Sequence, residues 1–250
     1  MKIHIYFTLN RVTEDHLRGK RVVVIDVLRA GTTIATAMAN GCREIIPAES
    51  VEAATALATN IDRTSVFLCG EREGKLIDGF DLGNSPREYK EKIIKDKNIV
   101  FVSTNGSAAL VKSRFATVAV VCAFVNVGSV TDYLLQDRGD LLILCAGNQG
   151  RFSLEDAVCS GTLLAGIQSR LDEEIDLNDS AVAAETLYKK HAKRIKALLR
   201  NCDHGRYLTE IDFAKDLPVC AEVDTLNVVP VMREGRITRG QIREQLPAEE

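Results

Sequence analysis

The stretch RVVVIDVLRAGTTIAT (21–36) decides how this chain is read. It opens on an apolar β-branched run, Val22 to Ile25, the composition of a strand buried on both faces. The run stops at Asp26, a carboxylate at the strand's carboxyl end. Arg29 follows, and its planar fork of donors suits phosphate or carboxylate. Gly31, Thr32 and Thr33 then lead into a segment of helical period, Ile34 to Ala39. A strand that ends at a charge and turns through small hydroxyl residues into a helix puts polar groups in the crevice where open parallel sheets bind ligands. The helix start adds free N–H donors and about half a positive charge. The stretch therefore reads as an anion site with a carboxylate beside it, which suggests phosphate and a metal. The same residues also read as a structural turn, with Asp26 capping the helix and Arg29 paired to it at the surface.

The 250 residues suit one large α/β domain. An acidic, polar link at 172–180 is the place where two sub-lobes would divide. A net charge of −3 forces no basic face, which argues against nucleic acid as a partner. Seven cysteines without CxxC pairs fit reduced thiols better than a disulfide frame. No apolar run approaches the ~18 residues that span a membrane. A soluble, cytoplasmic protein with no membrane partner is expected. The sequence leaves room for a homo-oligomer and does not specify one.

Taken in order, Lys2 to Thr8 alternates as a strand, and 10–20 reads as loop. After the 21–36 unit come a short strand at 43–48, an Ala-rich helix at 51–59 and a buried strand at 65–69 that ends in Gly70-Glu71-Arg72. The irregular segment EGKLIDGFDLGNSPRE (73–88) is long enough to suggest function. Asn84-Ser85-Pro86 starts a helix running to about Lys95. Strands follow at 99–103, 118–121 and 141–144, each leading through a small polar loop into a helix. Ser153 caps the last of these, with Glu155 and Asp156 in its first turn. Residues 181–199 form one amphipathic helix, 202–206 (CDHGR) a loop, and 219–221 and 228–232 short strands. Glu234-Gly235 marks a turn. The tail from Gln241 is charged and expected to fray. The strand–loop–helix pattern recurs at 22–38, 99–112 and 141–168. Right-handed crossovers place such loops on one edge of a parallel sheet, where they can converge. The expected fold is a three-layer α/β/α arrangement around a mainly parallel sheet.

Thr104-Asn105-Gly106-Ser107 is a second anion candidate, since small residues let the backbone approach an oxyanion. Its plainer reading is an ordinary helix cap. Mg²⁺ needs one or two carboxylates and keeps several waters. Asp26, Glu71, Asp81, Glu155, Asp156 and Asp224 all sit at strand or helix ends, and spacing does not choose among them. Cys145-x5-Arg151 has the form of a thiolate phosphatase loop, although Leu144 stands where a histidine is usual. The plainer reading there is a thiol packed at a strand end. His204 pairs with Arg206 as an anion candidate or lies in a surface turn. No GxxxxGK[ST], DxD or HExxH occurs, which disfavours a P-loop, an aspartyl-nucleophile dehalogenase-type phosphatase and a zinc protease site.

Taken together, IDVLRAGTTI (25–34), GERE (70–73), GFDLGNSPRE (79–88), STNGS (103–107), CAGNQGRFSLED (145–156) and CAEVDTLNVVPV (220–231) resemble the 2-phosphosulfolactate phosphatase family of the coenzyme M pathway. The resemblance implies an α/β, Mg²⁺-dependent phosphohydrolase that turns (R)-2-phosphosulfolactate, or a related small phosphorylated acid, into 3-sulfolactate and phosphate. It also argues against Cys145 as nucleophile. Mg²⁺ is expected on a subset of Asp26, Glu71 and Asp156. The substrate carries phosphate, sulfonate and carboxylate, and one arginine does not neutralise these. Arg29, then Arg72, then Arg206 are the expected cations, with the helix starts at Thr32–Thr33 and Asn105–Ser107 adding donors. The competing readings are a cysteine-dependent phosphatase using Cys145 and Arg151, and a binding module for a phosphorylated metabolite.

Overall fold

A computed structural model describes residues 1–59, 61 and 65–242. The strands are β1 (Lys2–Tyr6), β2 (Arg21–Ile25), β3 (Glu44–Pro47), β4 (Val66–Arg72), β5 (Lys75–Leu76), β6 (Asn98–Val102), β7 (Val118–Cys122), β8 (Leu141–Cys145), β9 (Asp176–Leu177), β10 (Pro230–Arg233) and β11 (Arg236–Arg239). They form one open sheet in the order β5-β4-β6-β3-β11-β10-β7-β2-β8-β1-β9. Most pairings are parallel, as the alternation of buried strands and helices implies.

β2 lies deep in this sheet, paired in parallel with β7 and β8. Its β-branched run serves both faces. Val23 and Ile25 join one apolar cluster, with the helices Leu154–Gln168 and Val127–Leu135. Val22 and Val24 join the other, with the helix Ala30–Ala39. That division makes three layers, and it explains why the strand is apolar at every position rather than at alternate ones.

The parallel strands form two blocks, β4-β6-β3 and β7-β2-β8-β1-β9, spliced by the β10–β11 hairpin. Every pairing through the hairpin is antiparallel. The blocks therefore run in opposite senses along the hydrogen-bonded sheet. A single parallel edge does not explain how their loops meet. Strand-to-strand twist of roughly 20–25° accumulates through the hairpin between the blocks. The hairpin turns at Glu234 and Gly235, both with positive φ, as the sequence suggests.

Several local expectations are corrected. β4 continues through Glu71 and Arg72 instead of stopping before them. The helix expected from Ser85 to Lys95 is two short pieces, Pro86–Glu88 and Glu91–Ile94. The single helix at 181–199 is two, Asp179–His191 and Ile195–Asn201. CDHGR is not a loop: Cys202 caps the helix Asp203–Glu210. Residues 219–221 belong to the helical turn Leu217–Cys220, because a three-residue apolar run fits either structure. The acidic link at 172–180 holds β9, which pairs with β1 in the same sheet. Within the expected frayed tail, 243–250 lie outside the described residues. Among those described, no helix is long and apolar enough to cross a membrane.

Candidate active site

Loops from both blocks line one cleft of about 300 Å³, the low end for a small-molecule site. Asp26, Leu28 and Arg29 enter after β2, Glu71, Glu73 and Gly74 around the end of β4, Ser103 to Asn105 after β6, and Asn148 and Gln149 after β8. Asn84 comes from the irregular segment, and His204 and Tyr207 from the helix Asp203–Glu210.

Asp26 is almost fully buried at this junction. Its Oδ1 accepts the Ala30 N–H at 3.1 Å, and its main-chain oxygen accepts that of Gly31 at 2.7 Å. A Cβ on Gly31 would come within 2.5 Å of that oxygen, so only glycine lets the helix start this close to the strand end. Gly106 has the matching role on the facing loop, where a Cβ would come within 2.6 Å of Asp26 Oδ2. Burial pushes the Asp26 carboxyl up to about 7. The charges of Glu71 and Glu155 add to the rise, while His204 and the Ala30 N–H oppose it.

Glu71 stitches two loops together. Its Oε1 accepts the Thr104 N–H at 2.6 Å, and its Oε2 accepts from the Gly74 N–H at 2.7 Å and the Thr104 hydroxyl at 3.0 Å. Asn105 Oδ1 in turn accepts the Gln149 N–H at 2.8 Å. Arg29 is buried, and its guanidinium bonds Asp216 at 2.7 Å and the Gly74 carbonyl at 2.6 Å while lying 4.2 Å above the Phe213 ring. Asp216 also accepts from Ser85 at 2.7 Å. Tyr207 donates to the Glu73 carbonyl at 2.8 Å. These bonds tie the C-terminal helices to the β4–β5 turn.

Of the sequence candidates, Asp26, Arg29, Glu71, Thr104 and Asn105 line the cleft, with Gly106 packed beneath Asp26. Thr32 and Thr33 do not line it; they are fully buried, and their hydroxyls bond the Val27 and Asn84 carbonyls. The helix start they belong to has its Ala30, Gly31 and Thr33 N–H donors taken by Asp26 and Arg29. Ser107 points inward, in a reciprocal cap with Ser103. Asp156 is buried behind the cleft with both oxygens engaged, by the Val27 N–H at 2.9 Å and the Gly147 N–H at 3.1 Å. Arg72 is exposed and away from the lining, and Arg206 is exposed and paired with Asp203 at 2.5 Å. Arg151 is also exposed, and Cys145 is wholly buried beside Ser160. Burial and the Asp156 charge push the Cys145 thiol well above its usual range, which removes the thiolate reading.

Sequence reasoning missed Asn148, Gln149, Glu73, Tyr207 and Asp216, and it joined His204 to the wrong partner. The Gly147-to-Gly150 loop was a usable signal for the first two, because its Gly and Asn content permits the positive φ found at Gly147, Gln149 and Gly150.

Among the described residues, no group of three or more His, Cys, Asp and Glu side chains could hold a metal ion. The cleft still offers hard oxygen donors. Asp26 and Glu71 face it, and the Asn84 side-chain oxygen is buried there without a hydrogen-bond partner. One or two carboxylates with neutral oxygens is the donor set that suits Mg²⁺, which keeps its own waters.

A family model described as 2-phosphosulpholactate phosphatase matches residues 6–235. The chain is 37% identical over 241 residues to a probable 2-phosphosulfolactate phosphatase of Caldanaerobacter subterraneus, covering 96% of this chain and 99% of that one. It is 34% identical to the protein of the same name from Clostridium beijerinckii, covering 95% and 99%. It is 37% identical to that of Symbiobacterium thermophilum, covering 89% and 95%. These matches agree with the motifs that meet in the cleft: the chain belongs to the 2-phosphosulfolactate phosphatase family.

Proposed function

We propose that the protein is a Mg²⁺-dependent phosphatase that hydrolyses 2-phosphosulfolactate to 3-sulfolactate and phosphate. In this reading it is a cytoplasmic enzyme of coenzyme M biosynthesis, with a small phosphorylated acid rather than nucleic acid as its partner. The observation that carries the reading is the charge of the cleft. Asp26, Glu71 and Glu73 line it, and Arg29, the arginine among its described lining residues, is already paired with Asp216. A substrate bearing phosphate, sulfonate and carboxylate would be repelled from such a site without a divalent cation.

Asp26, Glu71 and Asn84 would hold Mg²⁺. When bound, Mg²⁺ neutralises charge and polarises the phosphoryl oxygens. The chain's own residues shape the rest. Asn148, Gln149 and Thr104 offer amide and hydroxyl groups around the substrate. Arg29 holds the β4–β5 turn and keeps its remaining N–H groups near the cleft.

The test is phosphate release from 2-phosphosulfolactate by purified protein, with Mg²⁺ and with excess chelator. Release that needs Mg²⁺ is expected. Full turnover in chelator would remove the metal from the reading, and no release under either condition would remove the substrate. Any turnover excludes a binding module.

A further inference from the structure

One carboxylate–imidazole pair at the cleft has no part in holding phosphate or metal. His204 sits in the first turn of the helix Asp203–Glu210, with its side chain 14% exposed. Its Nδ1 lies 3.7 Å from Glu155 Oε1, an ion-pair distance rather than a hydrogen bond. Glu155 is buried in the first turn of the helix Leu154–Gln168. Burial is the largest influence on its carboxyl and raises it, but His204, the Glu155 main-chain N–H and Cys202 together outweigh burial and the net shift is downward. A carboxylate behind an imidazole orients the ring and fixes which ring nitrogen faces it.

The ring is held firmly. Cys202 Sγ caps its helix by accepting the Gly205 N–H at 3.3 Å. A Cβ on Gly205 would come within 1.6 Å of the Leu199 carbonyl oxygen, so this helix packs directly against the preceding one. With Nδ1 turned to Glu155, the opposite ring nitrogen, Nε2, is left for the cleft that His204 lines with Asp26.

The chemistry calls for such a group. The leaving group of a phosphorylated hydroxy acid is an alkoxide, which departs poorly unless it is protonated as the bond breaks. Few lining side chains can supply that proton. Tyr207 already donates its hydroxyl proton to the Glu73 carbonyl. Among the described residues, no lysine or cysteine lines the cleft. Asp26 is assigned to the cation.

We propose that His204 is the general acid of the reaction, with Glu155 as its positioning residue; this rests on the phosphatase reading above. The phosphorus–oxygen bond breaks with its electron pair going to the bridging oxygen, which takes the proton from Nε2. A water oxygen forms the new bond to phosphorus. One of its protons stays on the phosphate, and the other leaves to solvent, from which the imidazole is reprotonated.

The test compares wild type, His204→Gln, His204→Asn and Glu155→Gln in the presence of Mg²⁺. The substrates are 2-phosphosulfolactate and an aryl phosphate whose leaving group needs no proton. Loss of the acid should lower kcat on 2-phosphosulfolactate by roughly a hundredfold or more. The aryl phosphate, where wild type accepts it, should lose far less. The bridging-oxygen ¹⁸O isotope effect on 2-phosphosulfolactate should rise in both His204 variants, because the oxygen then departs unprotonated. Glu155→Gln should lower kcat with little change in KM. Rates near wild type, or a lower rate with an unchanged isotope effect, would overturn the proposal while leaving the phosphatase reading intact. No phosphate release by the wild type would instead overturn that reading.

Discussion

One wall of the cleft is made by loops that leave β2, β4, β6 and β8; the other is made by the helices after residue 150. The first wall carries Asp26, Glu71, Thr104, Asn105, Asn148 and Gln149. Its polar groups bond one another across loops, as Glu71 does with Thr104 and Asn105 with Gln149. The second carries His204, backed by Glu155, and Tyr207, and Asp216 anchors it to Arg29. The strand-end wall thus concentrates carboxylates, and the helical wall supplies the imidazole and the clasp. In the proposed reaction, binding a cation falls to the first and moving a proton to the second.

The largest expected effect tests the first wall. Asp26→Asn should lower kcat/KM by roughly a thousandfold, as expected when a group stabilising transition-state charge is lost. A second measurement uses the raised carboxyl. Its folded pKa, about 7, lies above that of an exposed Asp, near 3.9. The stability tied to its protonated form is therefore complete below about pH 4 and is lost as pH rises through 7. In chelator, Asp26→Asn should gain on wild type between pH 5 and pH 8 by about 2.5–3 kcal/mol. A pH-independent difference in Tm would mean that Asp26 is a simple helix cap and that the two walls do not divide as described.

The two walls also differ in what could be read from sequence. A β-branched run followed by Asp, Gly and Thr is a local signal, so Val22 to Thr33 could be placed on a strand, a turn and a helix. Which of its polar groups face the cleft was not local. Thr32 and Thr33 look like anion ligands beside Asp26, but their hydroxyls bond main-chain carbonyls inside the core. Arg29 looks like a phosphate fork, and its partner turned out to be Asp216. The helical wall was harder. Cys202 is an uncommon helix cap, so CDHGR read as a loop, and nothing near Asp216 announces a buried carboxylate. The pairing of His204 with Glu155 exists only because two helices far apart in the chain pack at their first turns.

A smaller effect is expected where the walls join. Asp216→Asn leaves Arg29 buried without its counter-charge, which should lower unfolding stability by about 3–5 kcal/mol. Denaturant midpoints would show it. Arg29→Lys should also be destabilising, because an ammonium does not reach Asp216 and the Gly74 carbonyl with the same planar fork. Unchanged midpoints in both variants would mean that the helical wall is held by apolar packing alone.

The smallest effect belongs to the arginines outside both walls. Arg72 follows Glu71 on β4, and alternation along a strand turns the two side chains to opposite faces. Glu71 takes the cleft side, and Arg72 is exposed, its charge felt by Glu52. Arg206 stands near His204 in sequence, yet it bonds Asp203 and the Asn201 carbonyl at the surface. A long cation in solvent loses little when truncated, so Arg72→Ala and Arg206→Ala should each stay within about 0.5 kcal/mol of wild-type stability. Their kcat/KM on 2-phosphosulfolactate should lie within about twofold of wild type. A hundredfold loss in either would require that residue to reach the substrate. The wall carrying it would then have to swing inward on binding, and the cation-binding and proton-moving surfaces would be divided differently from the arrangement described here.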